Sequence, residues 1–121
     1  MKKTILVVDD SESIREIVSH TLKNNGFNVL CGNDGKDALK HFTGTNIHLV
    51  VTDLHMPVMN GIELIKEIRK MKHYEHIPIL FLTTETQYKL KMEAKSAGAT
   101  GWLIKPFDPE KLIKTINKVL R

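Results

Sequence analysis

The sequence of 121 residues holds a single cysteine, so it cannot form an internal disulfide. A lone cysteine is typical of proteins from a reducing compartment. Because Cys31 lies in a short apolar run, we expect its side chain to pack in the interior rather than to react. Apolar runs of the roughly 18 residues that span a bilayer are also missing, and residues 5–8 are too few for a signal-peptide core. These absences predict a cytoplasmic protein that does not associate with membranes.

Three further absences restrict the function. The sequence has no glycine-rich phosphate loop, and its six histidines lack the paired helical spacing of a zinc site. The lysines are scattered along the chain without interleaved aromatic residues, so the net charge of +4 does not form a dense basic block. We therefore expect no nucleic-acid partner. The length suffices for one domain spanning residues 1–121 but leaves no room for a second catalytic or DNA-binding domain.

Five short apolar runs alternate with amphipathic stretches, and this alternation predicts the fold. The predicted strands cover residues 5–8, 27–31, 48–53, 77–82 and 101–104. Helices are expected in the intervals between the strands and after the last one. Parallel strands need such crossover connections, so the pattern predicts an α/β fold of the doubly wound type. We expect a five-stranded parallel sheet in the order 2-1-3-4-5, covered by five helices.

Capping signals and apolar spacing locate the helix ends. Ser13-x-x-Glu16 has the pattern of a capping box for the first helix, which is expected to end at Asn25-Gly26. Its predicted inner face consists of Ile14, Ile17, Val18 and Leu22. The second helix is predicted to end near Gly44, the third to begin near Asn60, the fourth to cover about residues 88–97 and the fifth to begin at Asp108-Pro109. The fourth helix has a thin apolar stripe, so we expect it to present much of its surface.

Polar side chains follow four of the five predicted strands. Asp9 and Asp10 come after the first strand, Asp53 ends the third, Thr83 follows the fourth and Lys105 follows the fifth. Because the carboxyl ends of parallel strands meet at one edge of a sheet, these groups should share a crevice. Three clustered acids repel one another unless a cation is present, and a hard divalent ion such as Mg²⁺ suits oxygen ligands.

A carboxylate, a metal and a lysine together describe phosphoryl transfer. The metal and Lys105 would spread the charge of an in-line transition state while Asp53 acts as the nucleophile and forms an acyl phosphate. Thr83 would then donate its hydroxyl to a phosphoryl oxygen. For a single aspartate, a structural role in which backbone N–H groups of the turn satisfy the carboxylate is the alternative.

These residues resemble the signature of the bacterial response-regulator receiver family. The resemblance covers residues 5–120 and rests on Asp9-Asp10, Asp53 with Met56-Pro57 and Asn60-Gly61, Thr83, and Lys105-Pro106-Phe107. It implies a flavodoxin-like, CheY-like fold and phosphorylation of Asp53 by a histidine kinase. It also implies Mg²⁺ held by Asp10, Asp53 and the backbone carbonyl of His55, with Asp9 acting through a metal-bound water, and a cis peptide bond between Lys105 and Pro106.

The resemblance further assigns Thr83 and Trp102 as a coupled switch pair, at a position where the family usually has Tyr or Phe. Whether Trp102 turns inward or stays packed is open, because tryptophan is larger. Two further residues are hypothesised to act on the attacking water. His55, two residues after Asp53, would restrict its access, and Glu85, two residues after Thr83, would orient it. Like the family, the chain would catalyse its own phosphorylation and dephosphorylation without being a conventional enzyme.

A narrower resemblance to stand-alone chemotaxis regulators of the CheY type implies the partners. A monomer would bind a flagellar motor switch protein when phosphorylated, and a phosphatase would be a further partner. A carrier between phosphotransfer proteins in a phosphorelay is an alternative. A haloacid dehalogenase-type phosphatase would need a second acid where this chain has His55, and a scaffold that lost signalling would have lost Asp53, Asp10 or Lys105.

Overall fold

The computed structural model describes residues 2–121. The strands and helices are, in chain order, β1 (Thr4–Val8), α1 (Glu12–Asn24), β2 (Asn28–Gly32), α2 (Gly35–Leu39), β3 (Leu49–Thr52), α3 (Gly61–Lys70), β4 (Ile79–Thr83), α4 (Tyr88–Ala97), β5 (Gly101–Ile104) and α5 (Pro109–Val119), with a 3₁₀ turn at Lys72–Tyr74. All strand pairs are parallel, and the sheet order is β2-β1-β3-β4-β5. This confirms the predicted fold class and strand order.

The sheet has an apolar layer on each face. Residues of β1, β3 and β4 alternate between the layers, which buries these three strands almost completely. One layer packs the sheet against α2, α3 and α4, with Phe81 and Ile65 fully buried in it. The other packs the sheet against α1 and α5, with Leu22 and Ile116 at its centre. The ends of these three strands therefore lie in the buried core, and the loops begin directly beyond them.

Side-chain caps fix the ends of several helices. Asn60 and Glu63 exchange hydrogen bonds in a capping box at the start of α3, and Asp108 caps α5 just before Pro109. The capping box predicted at Ser13 is wrong: Ser11 precedes α1 in an extended conformation, and its hydroxyl accepts from the Ile14 N–H at 3.4 Å. The helix thus begins earlier than predicted because a serine nearer the strand already supplies the cap.

Three other local predictions are corrected. Helix α2 ends at Leu39 rather than near Gly44, and Phe42 reaches the core from the following loop, edge-on to Tyr74. Ile17 is 53% exposed because α1 buries a narrow stripe that includes Val18 and leaves Ile17 beside it. Cys31 is exposed rather than packed, since β2 is an edge strand and α1 covers that face only in part.

None of the helices within residues 2–121 has the length and apolar content that crossing a lipid bilayer requires. Helix α4 buries only Ala94 fully, which confirms the expectation that it presents most of its surface. Helix α4 and the edge strand β5 are therefore less buried than the other helices and strands on that side of the molecule.

Candidate functional site

The ends of β1, β3, β4 and β5 bring the predicted polar residues to one edge of the sheet. Parallel pairing brings these strand ends to the same edge: Val8 pairs with Thr52 and Thr83 pairs with Ile104, while β4 extends two residues beyond the end of β3. Backbone hydrogen bonds extend the register one residue beyond the strands: the Asp53 N–H donates to the Val8 carbonyl and the Lys105 N–H to the Thr83 carbonyl, both at 2.9 Å. The sheet itself thus fixes where the site residues begin.

Three carboxylates meet at this edge. One oxygen from each of Asp9, Asp10 and Asp53 lies within 4.8 Å of the others, and this is the one group of three or more potential metal ligands among residues 2–121. Backbone N–H groups hold two of these carboxylates: Ser11 donates to Asp9 Oδ1 at 2.9 Å, and Leu54 donates to Asp53 Oδ1 at 2.7 Å. The turns therefore satisfy one oxygen of each acid and aim the other into the crevice.

Lys105 bridges the two inner acids. Its ammonium donates to Asp9 Oδ2 at 2.6 Å and to Asp53 Oδ2 at 2.9 Å, and the three side chains are almost fully shielded from solvent. Burial alone would lower the pKa of Lys105, but the hydrogen bonds to Asp9 and Asp53 outweigh it and raise that pKa above its ordinary value. Lys105 therefore stays charged at neutral pH and neutralises only one of the three negative charges.

The remaining donors fit a hard divalent cation. Carboxylate and carbonyl oxygens are the ligands that Mg²⁺ prefers, and two uncompensated negative charges remain beside Lys105 if all three acids are ionised. Asp10 is the exposed member of the cluster, so a bound ion would keep access to water and to a phosphate group. The chemistry of the residues present is thus compatible with the expected metal.

Thr83 ends β4 and is fully buried. Its hydroxyl oxygen accepts a hydrogen bond from the Glu85 N–H at 3.2 Å, which leaves the hydroxyl proton for a second acceptor. The sequence prediction that Thr83 carries a donor at the site edge is compatible with this arrangement.

A contact between His55 and Glu85 is the main feature that sequence reasoning missed. His55 Nε2 lies 2.6 Å from Glu85 Oε1, so this pair of side chains joins the loop after β3 to the loop after β4. The hydrogen bond from His55, followed by one from the Gln87 N–H, lowers the pKa of the Glu85 carboxyl. No sequence signal reveals this pair, because the residues are 30 positions apart and both lie outside regular elements.

Trp102 on β5 is joined to the same loop. Its indole N–H donates to the Glu85 carbonyl at 3.2 Å, and its ring packs on Phe81 with the ring centres 5.1 Å apart. Trp102 also lines a groove of about 340 Å³ with Tyr88, Lys91 and Lys95 of α4. The predicted switch residue therefore lies between the acidic edge of the sheet and an open surface.

That open surface is positively charged. Residues 88–121, which form α4, β5 and α5, contain seven lysine or arginine residues besides the shielded Lys105 and three acids, a net charge of +4 apart from Lys105. Tyr88 is 74% exposed and Ile104 is 44% exposed on this side. Apolar groups surrounded by basic ones make this surface suited to a partner that is both apolar and acidic.

The loop between β3 and α3 is tightly constrained. The Met59 N–H donates to the Pro57 carbonyl at 2.7 Å, closing a three-residue turn whose central residue, Val58, has φ of +70°. Gly61 permits close packing here, because a Cβ would lie 2.5 Å from Phe81 and closer still to the Asp53 carbonyl. The Lys105-Pro106 peptide bond is cis, as the resemblance implied.

Comparison with known proteins places this geometry in a family. The family described as response regulator receiver domain matches residues 5–117. The chemotaxis protein CheY-3 of Vibrio cholerae is 38% identical over 116 residues, which cover 95% of this chain and 89% of that protein. A solved structure of V. cholerae chemotaxis protein CheY4 has a TM-score of 0.95 and 47% identity, covering 99% of this chain and all of that one.

A third relative is the CAI-1 autoinducer sensor kinase/phosphatase CqsS of V. cholerae. It is 37% identical over 119 residues, which cover 98% of this chain but 17% of that protein. Similar segments therefore occur both in small chemotaxis proteins and as part of a larger sensor protein. Because the family match spans nearly the whole chain, the protein belongs to the response regulator receiver domain family and is related to the chemotaxis regulators of the CheY type.

Proposed function

We propose that the protein accepts a phosphoryl group on Asp53 from the phosphohistidine of a histidine kinase. An oxygen of the Asp53 carboxylate attacks phosphorus as the phosphorus–nitrogen bond breaks, and the imidazole leaves with the bonding electron pair. The observation that carries this proposal is the Lys105 ammonium, 2.9 Å from Asp53 Oδ2, since it supplies fixed positive charge where the transferred group develops negative charge.

Asp10, Asp53 and the His55 backbone carbonyl would hold Mg²⁺, with Asp9 acting through a bound water. When bound, the ion supplies charge neutralisation for the phosphoryl oxygens. Asp9 keeps Lys105 in position through its 2.6 Å hydrogen bond. Thr83 would donate its hydroxyl proton to a phosphoryl oxygen while its oxygen keeps the Glu85 N–H. The same residues would serve both self-catalysed phosphorylation and dephosphorylation.

For the output, we propose that phosphorylation changes the binding of a target to the basic surface of α4, β5 and α5. The similarity to chemotaxis proteins at 38% and 47% identity supports a chemotaxis role with a flagellar motor switch protein as the target. Thr83 and Trp102 would be the switch pair. A single domain over residues 1–121, a monomeric state and a cytoplasmic location remain predictions, and sedimentation at rising concentration tests the monomer.

A phosphorelay carrier is the second candidate, and the similarity to part of a sensor kinase/phosphatase supports it. A carrier returns its phosphoryl group to a histidine, whereas a chemotaxis regulator loses it to water. Chasing phosphorylated protein with an isolated histidine phosphotransfer domain separates these functions.

The test of the acceptor uses acetyl phosphate and Mg²⁺, with intact-mass spectrometry and fluorescence of the single tryptophan as readouts. Wild type should gain one phosphoryl group and change its emission, and Asp53→Asn should do neither. Glu93→Gln, which makes the same kind of change at an exposed position on α4, should behave as wild type. Undiminished phosphorylation of Asp53→Asn would place the acceptor elsewhere.

A binding assay with the proposed target, run on protein phosphorylated in the same way, tests Lys105 separately. Lys105→Ala should still accept phosphate, because Asp53 remains, but more slowly without the ammonium. Its phosphorylated form should bind the target no better than the unmodified protein. Full phosphorylation-dependent binding in Lys105→Ala would show that the ammonium has no part in coupling.

A further inference from the structure

The loop between β3 and α3 is held both at its ends and from outside. The Gly61 N–H donates to the Leu54 carbonyl at 2.8 Å and so joins the two ends of the loop. Nearer its middle, the Met59 carbonyl accepts a hydrogen bond of 3.2 Å from the N–H of Gly35, the first residue of α2. His55, whose backbone carbonyl is the proposed metal ligand, lies between Leu54 and Met59 in the chain. The start of α2 therefore limits where this carbonyl can lie.

Gly35 is buried in close contact with Met59. A Cβ added to Gly35 would lie 2.7 Å from Met59 Cγ, 2.8 Å from the Met59 carbonyl oxygen and 2.9 Å from Met59 Cβ. The carbonyl oxygen cannot yield without a shift of the loop backbone. Gly35 does not have the positive φ of Gly26, Gly44 and Gly98, so proximity to the loop, rather than backbone conformation, excludes a side chain here. Alanine would also be the better helix former, which makes the contact the reason for glycine.

The turn before α2 fixes the position of Gly35. Asp34 precedes the helix in an extended conformation, and its Oδ1 accepts from the Asp37 N–H at 2.8 Å. Asp37 Oδ2 in turn accepts from the Asn33 N–H at 2.9 Å. This hydrogen bond from Asn33, followed by one from Lys40, lowers the pKa of Asp37 and keeps its carboxylate ionised at neutral pH. The side chains of the turn thus hold the start of α2 independently of the loop after β3.

We infer that Gly35 is a positioning residue for the loop after Asp53, and that the start of α2 acts through Met59 to hold the His55 carbonyl where Mg²⁺ can bind. This inference rests on the proposed metal site. Gly35 has no side chain and supplies no ligand, so its effect on the metal is transmitted by the loop. Residues that orient metal ligands from outside typically change metal affinity about 10- to 100-fold when they are replaced.

The first test compares wild type with Gly35→Ala. Isothermal titration calorimetry without phosphodonor gives the dissociation constant of Mg²⁺, and urea unfolding without Mg²⁺ gives the stability of the same proteins. The rate of phosphorylation by acetyl phosphate is then measured over a range of Mg²⁺ concentrations. Asn33→Ala is the matched control, since it is an uncharged substitution at an exposed position of the same turn.

Gly35→Ala should raise the Mg²⁺ dissociation constant about 10-fold, because the added methyl group displaces Met59 and the loop with it. Its phosphorylation should be slow at low Mg²⁺ concentration and should approach the wild-type rate at saturating Mg²⁺, since Asp53 and Lys105 are unchanged. Asn33→Ala should match wild type in both measurements.

A pair of substitutions at Asp34 tests the same contact without adding volume. Asp34→Asn and Asp34→Ala remove the same charge, but only asparagine keeps a side-chain oxygen that can cap α2. Asp34→Ala should therefore bind Mg²⁺ about two- to five-fold more weakly than Asp34→Asn, up to the effect that the loss of a weak cap has. This comparison decides the question if Gly35→Ala does not fold.

Three outcomes overturn the inference. A lower urea midpoint of Gly35→Ala with an unchanged Mg²⁺ dissociation constant, or equal constants in the two Asp34 variants, would show that the contact only stabilises the fold. A phosphorylation defect that persists at saturating Mg²⁺ would show that Gly35→Ala disturbs the acceptor rather than the metal ligand. If wild type itself binds no Mg²⁺, the proposed metal site fails, whereas normal binding by wild type and by all variants refutes the role of Gly35 alone.

Discussion

Replacing Val58 by asparagine should stabilise the protein, although it removes an apolar side chain. Val58 is the central residue of the turn closed by the Met59 N–H and the Pro57 carbonyl, and its φ of +70° is unfavourable for a β-branched residue. A residue with a side chain loses about 1–2 kcal/mol where φ is positive, and asparagine occurs at positive φ several times more often than ordinary residues, whereas a β-branched residue there is an outlier.

The loss of packing is small by comparison. Complete burial of a valine side chain contributes about 1.5–3 kcal/mol, but Val58 is 75% exposed, so the buried quarter contributes about 0.5 kcal/mol. The relief of strain therefore exceeds the lost burial, and Val58→Asn should gain about 1 kcal/mol in the free energy of unfolding. For a domain of this size that gain corresponds to a rise in Tm of about 4 °C.

Urea unfolding without Mg²⁺ or phosphodonor measures this difference, because ligands that bind only the folded state would add their own stabilisation. The midpoint should rise in Val58→Asn while the m-value stays constant. Val58→Thr is the matched control, since threonine keeps the branched shape at Cβ and should stay within about 0.5 kcal/mol of wild type. Equal stability of Val58→Asn and Val58→Thr would refute the argument from backbone strain.

Two other substitutions test how the elements around the site are held. Arg69→Met should lower the free energy of unfolding by about 2 kcal/mol, because the guanidinium donates to the carbonyls of Glu75, Ile77 and Gly98 and joins α3 to the end of α4. Urea unfolding measures the loss, and Arg69→Lys should be intermediate. A wild-type midpoint in Arg69→Met would contradict this role of Arg69. Gly61→Ala should lower the free energy of unfolding by about 1–3 kcal/mol, because the added methyl group overpacks the loop after Asp53. The same displacement of the loop should slow phosphorylation by acetyl phosphate. Unchanged stability and an unchanged rate would show that the loop accommodates the methyl group without strain.

The strand pattern and the polar residues at the strand ends were predictable from local sequence. Asp9, Asp53 and Lys105 each follow directly on a short apolar run, so identifying the strands also located these residues at the sheet edge. The start of α1 was predicted wrongly, because Ser11 and Ser13 both satisfy the residue preference for a cap and only the backbone conformation selects Ser11. The prediction that Ile17 faces the core was wrong, because helical spacing alone does not define how wide a stripe of the helix surface the sheet covers.

The sequence by itself therefore determined the α/β architecture and the strand order, because the apolar periodicity that predicts strands and helices is a local property of the chain. It also determined which acids and which lysine share one edge, because the carboxyl ends of parallel strands lie on the same edge of a sheet. Tertiary structure alone decided which groups touch. Lys105 and Asp9 are 96 residues apart, and His55 and Glu85 are 30 apart, so their 2.6 Å contacts depend on how separate loops fold beside one another. The same holds for the Trp102 indole on the Glu85 carbonyl and for the strained turn at Val58, since loop conformation follows from packing rather than from local residue preference.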